Sequence, residues 1–336
     1  MGPTASGKSA LGMFLAQALD GVIINADTMQ CYADLRIITA RPHEGDLRRV
    51  PHKLYGVWPS TVHGNAAMWQ EAAIEAIKQT QRDFKLPILL GGTGMYVKAL
   101  IEGLSPVPKI DPALHERIKQ QWEENPARFR ERLLLVDPKM AARLKAGDQQ
   151  RHIRAMEVME QTGISLADWQ EKPVNPAFAK EQFCTLFVNL PREELYQRID
   201  DRFDSMVAAG ALDEIRQLMK TLRRVFPDVD PSELEPSTVA GTEDDVKKKK
   251  YKTLPVLRAH GVPELMAYLS GKMSLEDAIE RAKLNTRHYA KRQLTWLRNQ
   301  LPEALPIPHD LLQDAEKAEA FVKRLAKMID RPAVTY

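Results

Sequence analysis

Gly2-Pro3-Thr4-Ala5-Ser6-Gly7-Lys8-Ser9 constrains this chain more than any other stretch. Two glycines five residues apart, followed by Lys and Ser, form the phosphate-binding loop pattern. Its chemistry is mostly main chain. Successive N–H groups line a concavity, and the helix that follows adds partial positive charge at its N-terminus. Lys8 then serves as a point charge on outer phosphate oxygens, and Ser9 as a ligand for Mg²⁺. Leu11, Leu15, Ala18 and Leu19 recur at helical spacing, so the helix starts where the pattern requires it. Such a loop normally follows a buried strand, yet only Met1 precedes Gly2. The expectation is that apolar residues lie upstream of Met1 in the natural protein, and that the 336-residue chain is less stable than an extended one.

A loop of this kind calls for a parallel sheet, and the chain supplies candidate strands. Val22-Ile23-Ile24, Pro87-Ile88-Leu89-Leu90 and Phe183–Asn189 are short apolar runs of the buried parallel type. Helical patterns at Ala66–Phe84, from about Arg192, at Ser274–Gln300 and at Ala315–Ile329 alternate with them. The predicted fold class is therefore α/β: a three-layer phosphate-loop core with a parallel sheet. From 105 to 180 the pattern is helical and rich in Arg, Gln and Glu, which reads as an inserted helical domain. The core then comprises residues 1–104 and 181–336. Residues 225–250 carry Pro227, Pro231 and Pro236, then acids, then four lysines; this reads as a mobile insertion.

Two cysteines, Cys31 and Cys184, cannot build a disulfide framework or a zinc site, so a reducing, cytoplasmic setting is expected. No apolar run is long enough to span a membrane. The net charge is only +3, but Lys247–Arg298 holds a local excess of nine positive charges. Within it, Thr286-Arg287-His288-Tyr289-Ala290-Lys291-Arg292-Gln293-Leu294-Thr295-Trp296 interleaves bases with aromatics. Gln150-Arg151-His152-Ile153-Arg154 is a second basic cluster. Each alone reads as a solvated helix face; together with the phosphate loop they fit a folded RNA. Asp27 ends the strand after the loop helix and faces the cradle across the strand tips. It suits a metal ligand or a base on an acceptor nucleophile. Arg198 and Arg202 share a helix face and are candidates to meet an anionic ligand, against the plainer reading of surface arginines. Gly91-Gly92-Thr93-Gly94 is a second glycine turn after a strand.

The segments Gly2–Ser9, Asn25–Tyr32, Ile38–Pro42, Pro87–Pro108, Gln149–Val158 and Asn285–Arg298 resemble, in order, those of the tRNA dimethylallyltransferases, also called tRNA isopentenyltransferases. The resemblance implies transfer of a dimethylallyl group from dimethylallyl pyrophosphate to N6 of an adenosine next to the tRNA anticodon. It implies that Gly2, Pro3, Thr4, Ala5, Ser6, Gly7, Lys8 and Ser9, with Arg198, hold pyrophosphate, and that Mg²⁺ meets Ser9. Asp27 becomes the general base. Asp27, Thr28, Met29, Gln30, Thr93, His115, Gln150, Arg151, His152, Ile153, Arg154, Thr286, Arg287, Lys291, Arg292 and Gln293 would meet the anticodon stem-loop. The enzyme is expected to act as a monomer. Departures are His115, where Arg is usual, and Arg258–Pro263, where the aromatic and the Arg usual after the glycine are missing. The rivals are a nucleotide kinase, a prenyltransferase acting on free AMP or ADP, and a non-catalytic RNA-binding module.

Overall fold

The computed structural model describes residues 1–227, 254–308 and 310–329. They divide into two compact units. Residues 1–101 with those from 177 on form one, and residues 102–176 the other. The insertion expected over 225–250 lies outside the described residues from 228 on.

In the first unit the Gly2–Ser9 loop runs into α1 (Lys8–Ala18) and then β1 (Gly21–Asn25). Every residue of β1 is buried, as a central strand covered on both faces requires. There follow α2 (Glu44–Arg49), β2 (His52–Lys53), α3 (Ala66–Arg82), β3 (Leu86–Leu90) and α4 (Gly94–Glu102). The strands lie in the order β2-β1-β3, all parallel, with Ile23 opposite both His52 and Ile88. Trp69 of α3 stacks on Tyr96 of α4, ring centroids 4.6 Å apart, beneath the sheet residues Ile24 and Leu89.

The second unit consists of α5 (Pro112–Glu124), α6 (Pro126–Val136), α7 (Pro138–Arg143), α8 (Gln149–Thr162) and α9 (Leu166–Glu171). The first three begin on the same local device. Asp111, Asn125 and Asp137 each accept a hydrogen bond from the first turn, and each is followed by Pro. Pro lacks only an N–H that the helix end leaves unpaired anyway. Ile118, Trp122, Phe129, Leu133 and Met156 form this unit's core.

The chain re-enters the first unit through β4 (Leu186–Asn189), α10 (Arg192–Ala208) and α11 (Ala211–Val225). α12 (Val262–Leu269), α13 (Leu275–Gln300), β5 (Leu305–Pro308) and α14 (Ala315–Met328) complete it. β4 and β5 pair in parallel as a sheet of their own. The expected single sheet is therefore two hydrogen-bonded pieces. Met1 pairs in parallel with β4, donating to Leu186 O at 2.7 Å and accepting from Val188 N–H at 2.9 Å. One residue makes one bridge and does not join the pieces. Side chains do: Ile88 of β3, Val188 of β4 and Ile307 of β5 share a core with Leu11 and Leu15 of α1. Among the described residues no helix is long and apolar enough to cross a membrane.

Candidate active site

The Gly2–Ser9 loop owes its shape to two left-handed residues, Ala5 with φ 61° and Gly7 with φ 84°. Such alternation turns consecutive N–H groups toward one side. Gly7 is also the N-cap of α1 and has no side chain to occupy the orphan N–H groups of the first turn, which carries no acid either. That helix end is consequently open to an external anion. Arg198 lies 3.5 Å from where a Cβ on Gly7 would sit, and it pairs with Glu194 at 2.7 Å one turn back.

Lys8 Nζ donates to Pro3 O at 3.2 Å, folding the side chain back over the loop. Burial pushes its ammonium down to about 8; the Asp27 charge opposes this and the Arg202 charge adds to it. Burial likewise lowers the Arg202 guanidinium, with Asp27 opposing. Arg202 donates to Thr4 Oγ1. Lys8, Arg202 and Asp27 thus share one poorly solvated region in which charges act strongly. An arriving dianion stabilises both cations.

Asp27 sits just beyond β1. Asn25, buried at the strand end, shapes the turn: its Oδ1 accepts from Asp27 N–H at 2.8 Å, and its Nδ2 donates to Asp27 O at 2.9 Å. Asp27 Oδ1 accepts from Met29 N–H at 3.0 Å, starting a short 3₁₀ turn at Met29–Cys31. Thr28 N–H donates to Thr93 Oγ1 at 3.1 Å, which ties this turn to the one after β3. Gln30 Nε2 donates to Thr39 O at 2.8 Å and Ala40 O at 3.1 Å. The loop carrying those carbonyls is pinned by Glu214 of α11, whose carboxylate accepts from Arg36, Ile37 and Ile38 N–H at 2.6, 2.7 and 2.9 Å.

The glycines of Gly91-Gly92-Thr93-Gly94 are there for close approach. A Cβ on Gly91 would lie 2.1 Å from the Ala26 backbone, one on Gly92 2.2 Å from Gln293 Nε2, and one on Gly94 2.1 Å from the Trp296 ring. The turn therefore admits β1's end on one side and α13 on the other. From α13, Tyr289 lies beside Thr93 and Gln293, which oppose the rise, and burial with the nearby Asp27 charge raises its phenol well above the ordinary tyrosine range. His260 packs at a tilt against Tyr289, ring centroids 4.5 Å apart, and burial lowers its imidazole.

The basic clusters divide by helical face. Lys291 and Arg292 are exposed, and with His288, Thr295 and Trp296 they line a shallow groove of about 530 Å³ on α13. Arg287 is instead paired with Asp200 of α10 at 2.9 Å. Thr286 is buried, its hydroxyl donating to Ala282 O at 2.7 Å, and Gln293 is buried too. In α8, Gln150, Arg151 and Arg154 point outward, the last 3.6 Å from Glu157. His152 and Ile153 are buried, His152 bonding Asp148 O at 2.8 Å and packing on Trp122. His115 is paired with the buried Glu157. The side chains of His152, Ile153, Thr286 and Gln293, expected at the RNA, are thus interior. A run of consecutive residues on a 3.6-residue helix cannot all face one way.

A family model described as IPP transferase matches residues 30–300. The chain belongs to the IPP transferase family. Thr93 and the α13 residues lie inside the matched span of this IPP transferase member; the Gly2–Ser9 loop and Asp27 precede it. A protein of Rhodopseudomonas palustris (strain BisB18) called tRNA dimethylallyltransferase is 44% identical over 303 residues, covering 90% of this chain and 87% of that one. One from Nitrobacter hamburgensis with the same name matches at 44% over the same shares. The fold is similar to the tRNA isopentenylpyrophosphate transferase of Bacillus halodurans, with TM-score 0.65 and 28% identity over 98% of this chain and 95% of that one. It is also similar to a eukaryotic dimethylallyltransferase described in crystallographic snapshots as acting on tRNA. There the TM-score is 0.76 at 26% identity, over 99% of this chain and 79% of that one.

Proposed function

We infer that this enzyme transfers a dimethylallyl group from dimethylallyl pyrophosphate to N6 of the adenosine next to the anticodon of tRNA. The observation that carries the reading is the open N-terminus of α1 together with the electrostatic coupling of the buried cations Lys8 and Arg202 to a carboxylate, Asp27, at the end of the adjacent strand. The core is of the phosphate-loop type. Gly2–Ser9 and Arg198 cradle the pyrophosphate. Residues 105–180 serve as an inserted helical domain that offers Gln150, Arg151 and Arg154 to the RNA, and Lys291 and Arg292 offer a second basic surface.

In the reaction the N6 lone pair forms a bond to C1 of the allyl group, the C1–O bond breaks, and pyrophosphate leaves with that electron pair. The N6 proton passes to Asp27. An exocyclic amine conjugated with its ring is a poor nucleophile, so a base that accepts the proton as the bond forms lowers the barrier. The loop N–H groups, Lys8 and Arg202 oppose the charge that grows on the leaving group. Among the described residues no cluster of three His, Cys, Asp or Glu converges. Mg²⁺ would be held by the Ser9 hydroxyl with pyrophosphate oxygens and water, a coordination this small hard ion favours. When bound it neutralises pyrophosphate charge. The adenosine must leave its stack to reach Asp27, which asks for an extended basic surface.

Labelled dimethylallyl pyrophosphate offered with tRNA, with AMP, with ADP and alone tests this reading. Label should enter tRNA only; label in a free nucleotide would support the nucleotide-level rival. The RNA surface has its own expected outcome. Lys291→Ala with Arg292→Ala should flatten the slope of log affinity against log salt by roughly 0.7–0.9 for each phosphate no longer neutralised. Arg287→Ala, which breaks an intramolecular pair, should leave that slope nearly unchanged. A salt titration in which the double variant keeps the parent slope would remove the α13 groove from the interface.

A further inference from the structure

Gln293 does not have the surroundings of an RNA contact. It is 5% exposed, on the inward face of α13. Its Oε1 accepts from Thr4 N–H at 2.9 Å, across 289 residues of chain. Its Nε2 donates to Gly92 O at 2.9 Å. The amide thus spans two turns, the donor cradle and the glycine turn after β3, and the orientation of its O and N is set by an N–H on one side and a carbonyl on the other. Thr4 is held a second time, through its hydroxyl, by Arg202. Gly92 is glycine where a Cβ would strike this amide, so the main chain is shaped around it. Tyr289, one turn earlier on the same face, lies beside Gln293 and Thr93, the residue that holds Thr28 next to Asp27.

We propose that Gln293 is a positioning residue that clamps the pyrophosphate loop at Thr4 and sets the cradle in register with the turn carrying Thr93. It touches neither substrate. Its effect is on donor geometry, although it belongs to the helix whose outer face is the basic groove. This rests on reading Gly2–Ser9 as the pyrophosphate cradle.

Gln293→Met keeps length and volume and removes both hydrogen bonds. Inorganic pyrophosphate with Mg²⁺ is the probe, read by calorimetry; tRNA affinity and thermal melting are measured on the same samples. Pyrophosphate affinity should fall about 10- to 100-fold, the effect of losing two hydrogen bonds and leaving a main-chain N–H and C=O unpaired. The donor KM should rise in parallel, and tRNA affinity should stay within about twofold of the parent. Gln293→Glu, similar in shape and still able to accept from Thr4, should show the same selectivity and serves if the Met variant does not fold. Weakened tRNA binding with intact pyrophosphate binding would make Gln293 an RNA contact and overturn the proposal. Equal loss of both affinities with a lowered melting temperature, or no loss of either, would overturn it too. Prenyl transfer by the unsubstituted enzyme is assayed alongside. Its absence would count against the functional reading, while the two binding measurements would still decide for or against the clamp.

Discussion

Asp27→Asn is expected to lower the single-turnover rate of prenyl transfer by about 10²–10⁴-fold, the usual consequence of losing a general base. The substitution is chosen for what it keeps. Asn retains an oxygen to accept the Met29 N–H, so the turn through Met29–Cys31 has its anchor. The main-chain bonds that Asn25 makes to residue 27 do not involve the side chain at 27. What is lost is the ability to take a proton at neutral pH. Removing the carboxylate also withdraws support for charged Lys8 and Arg202 and removes repulsion toward pyrophosphate. These act in opposite directions, so donor affinity and the Mg²⁺ requirement should stay near those of the parent. Ser9→Ala should show the complementary defect, weaker Mg²⁺ and pyrophosphate binding. Recovery of the Asp27→Asn rate at high Mg²⁺ would assign the carboxylate to the metal instead.

Lys8→Met should reduce kcat by about 10²–10³-fold, the scale seen when one preorganised group opposing transition-state charge is removed. Pyrophosphate affinity should weaken as well, because Lys8 opposes charge that is present before reaction and grows during it. The ammonium acts from a largely desolvated position, where a charge is worth more than it is in water. Arg202 does not make up the loss, since its charge already acts in the parent enzyme and its bond to Thr4 keeps it in its own place. Lys8→Arg should recover only part of the activity, as a planar fork does not occupy the place of a compact point charge. tRNA affinity measured without donor should not change. A Lys8→Met enzyme with the parent's donor affinity and turnover would remove Lys8 from the pyrophosphate site.

Much of the cradle is readable along the chain because it is local. A phosphate loop places its N–H groups through the dihedrals of consecutive residues, so spacing alone locates Lys8, Ser9 and the start of α1. Asp27 is legible for the same reason, as the carboxylate that closes an apolar run one strand later. The five-residue cluster Gln150–Arg154 and the stretch Thr286–Gln293 are legible as basic helices. Which of their side chains face outward was also open to inference: Ala282, Thr286, Ala290, Gln293 and Leu297 repeat every three or four residues and are all buried. Thr286 and Gln293 are set apart from their exposed polar neighbours by that period and not by residue type.

What only tertiary structure decided involves partners far apart in sequence. Thr4 meets Gln293 and Arg202, Arg36 to Ile38 meet Glu214, and Arg287 meets Asp200. No local pattern marks such pairs, because each exists only once helices and sheet have packed. The division of the strands into two hydrogen-bonded sheets with a shared side-chain core belongs here as well. So does the reason for three glycines after β3, which the sequence alone cannot distinguish from an ordinary tight turn: the atoms they make room for come from Ala26, Gln293 and Trp296. Local backbone chemistry thus marked where the proposed anion cradle and the proposed base lie in this chain. Packing determined which side chains hold them in register, since a hydrogen bond closing a loop of nearly 300 residues forms only after the core has brought its two ends together.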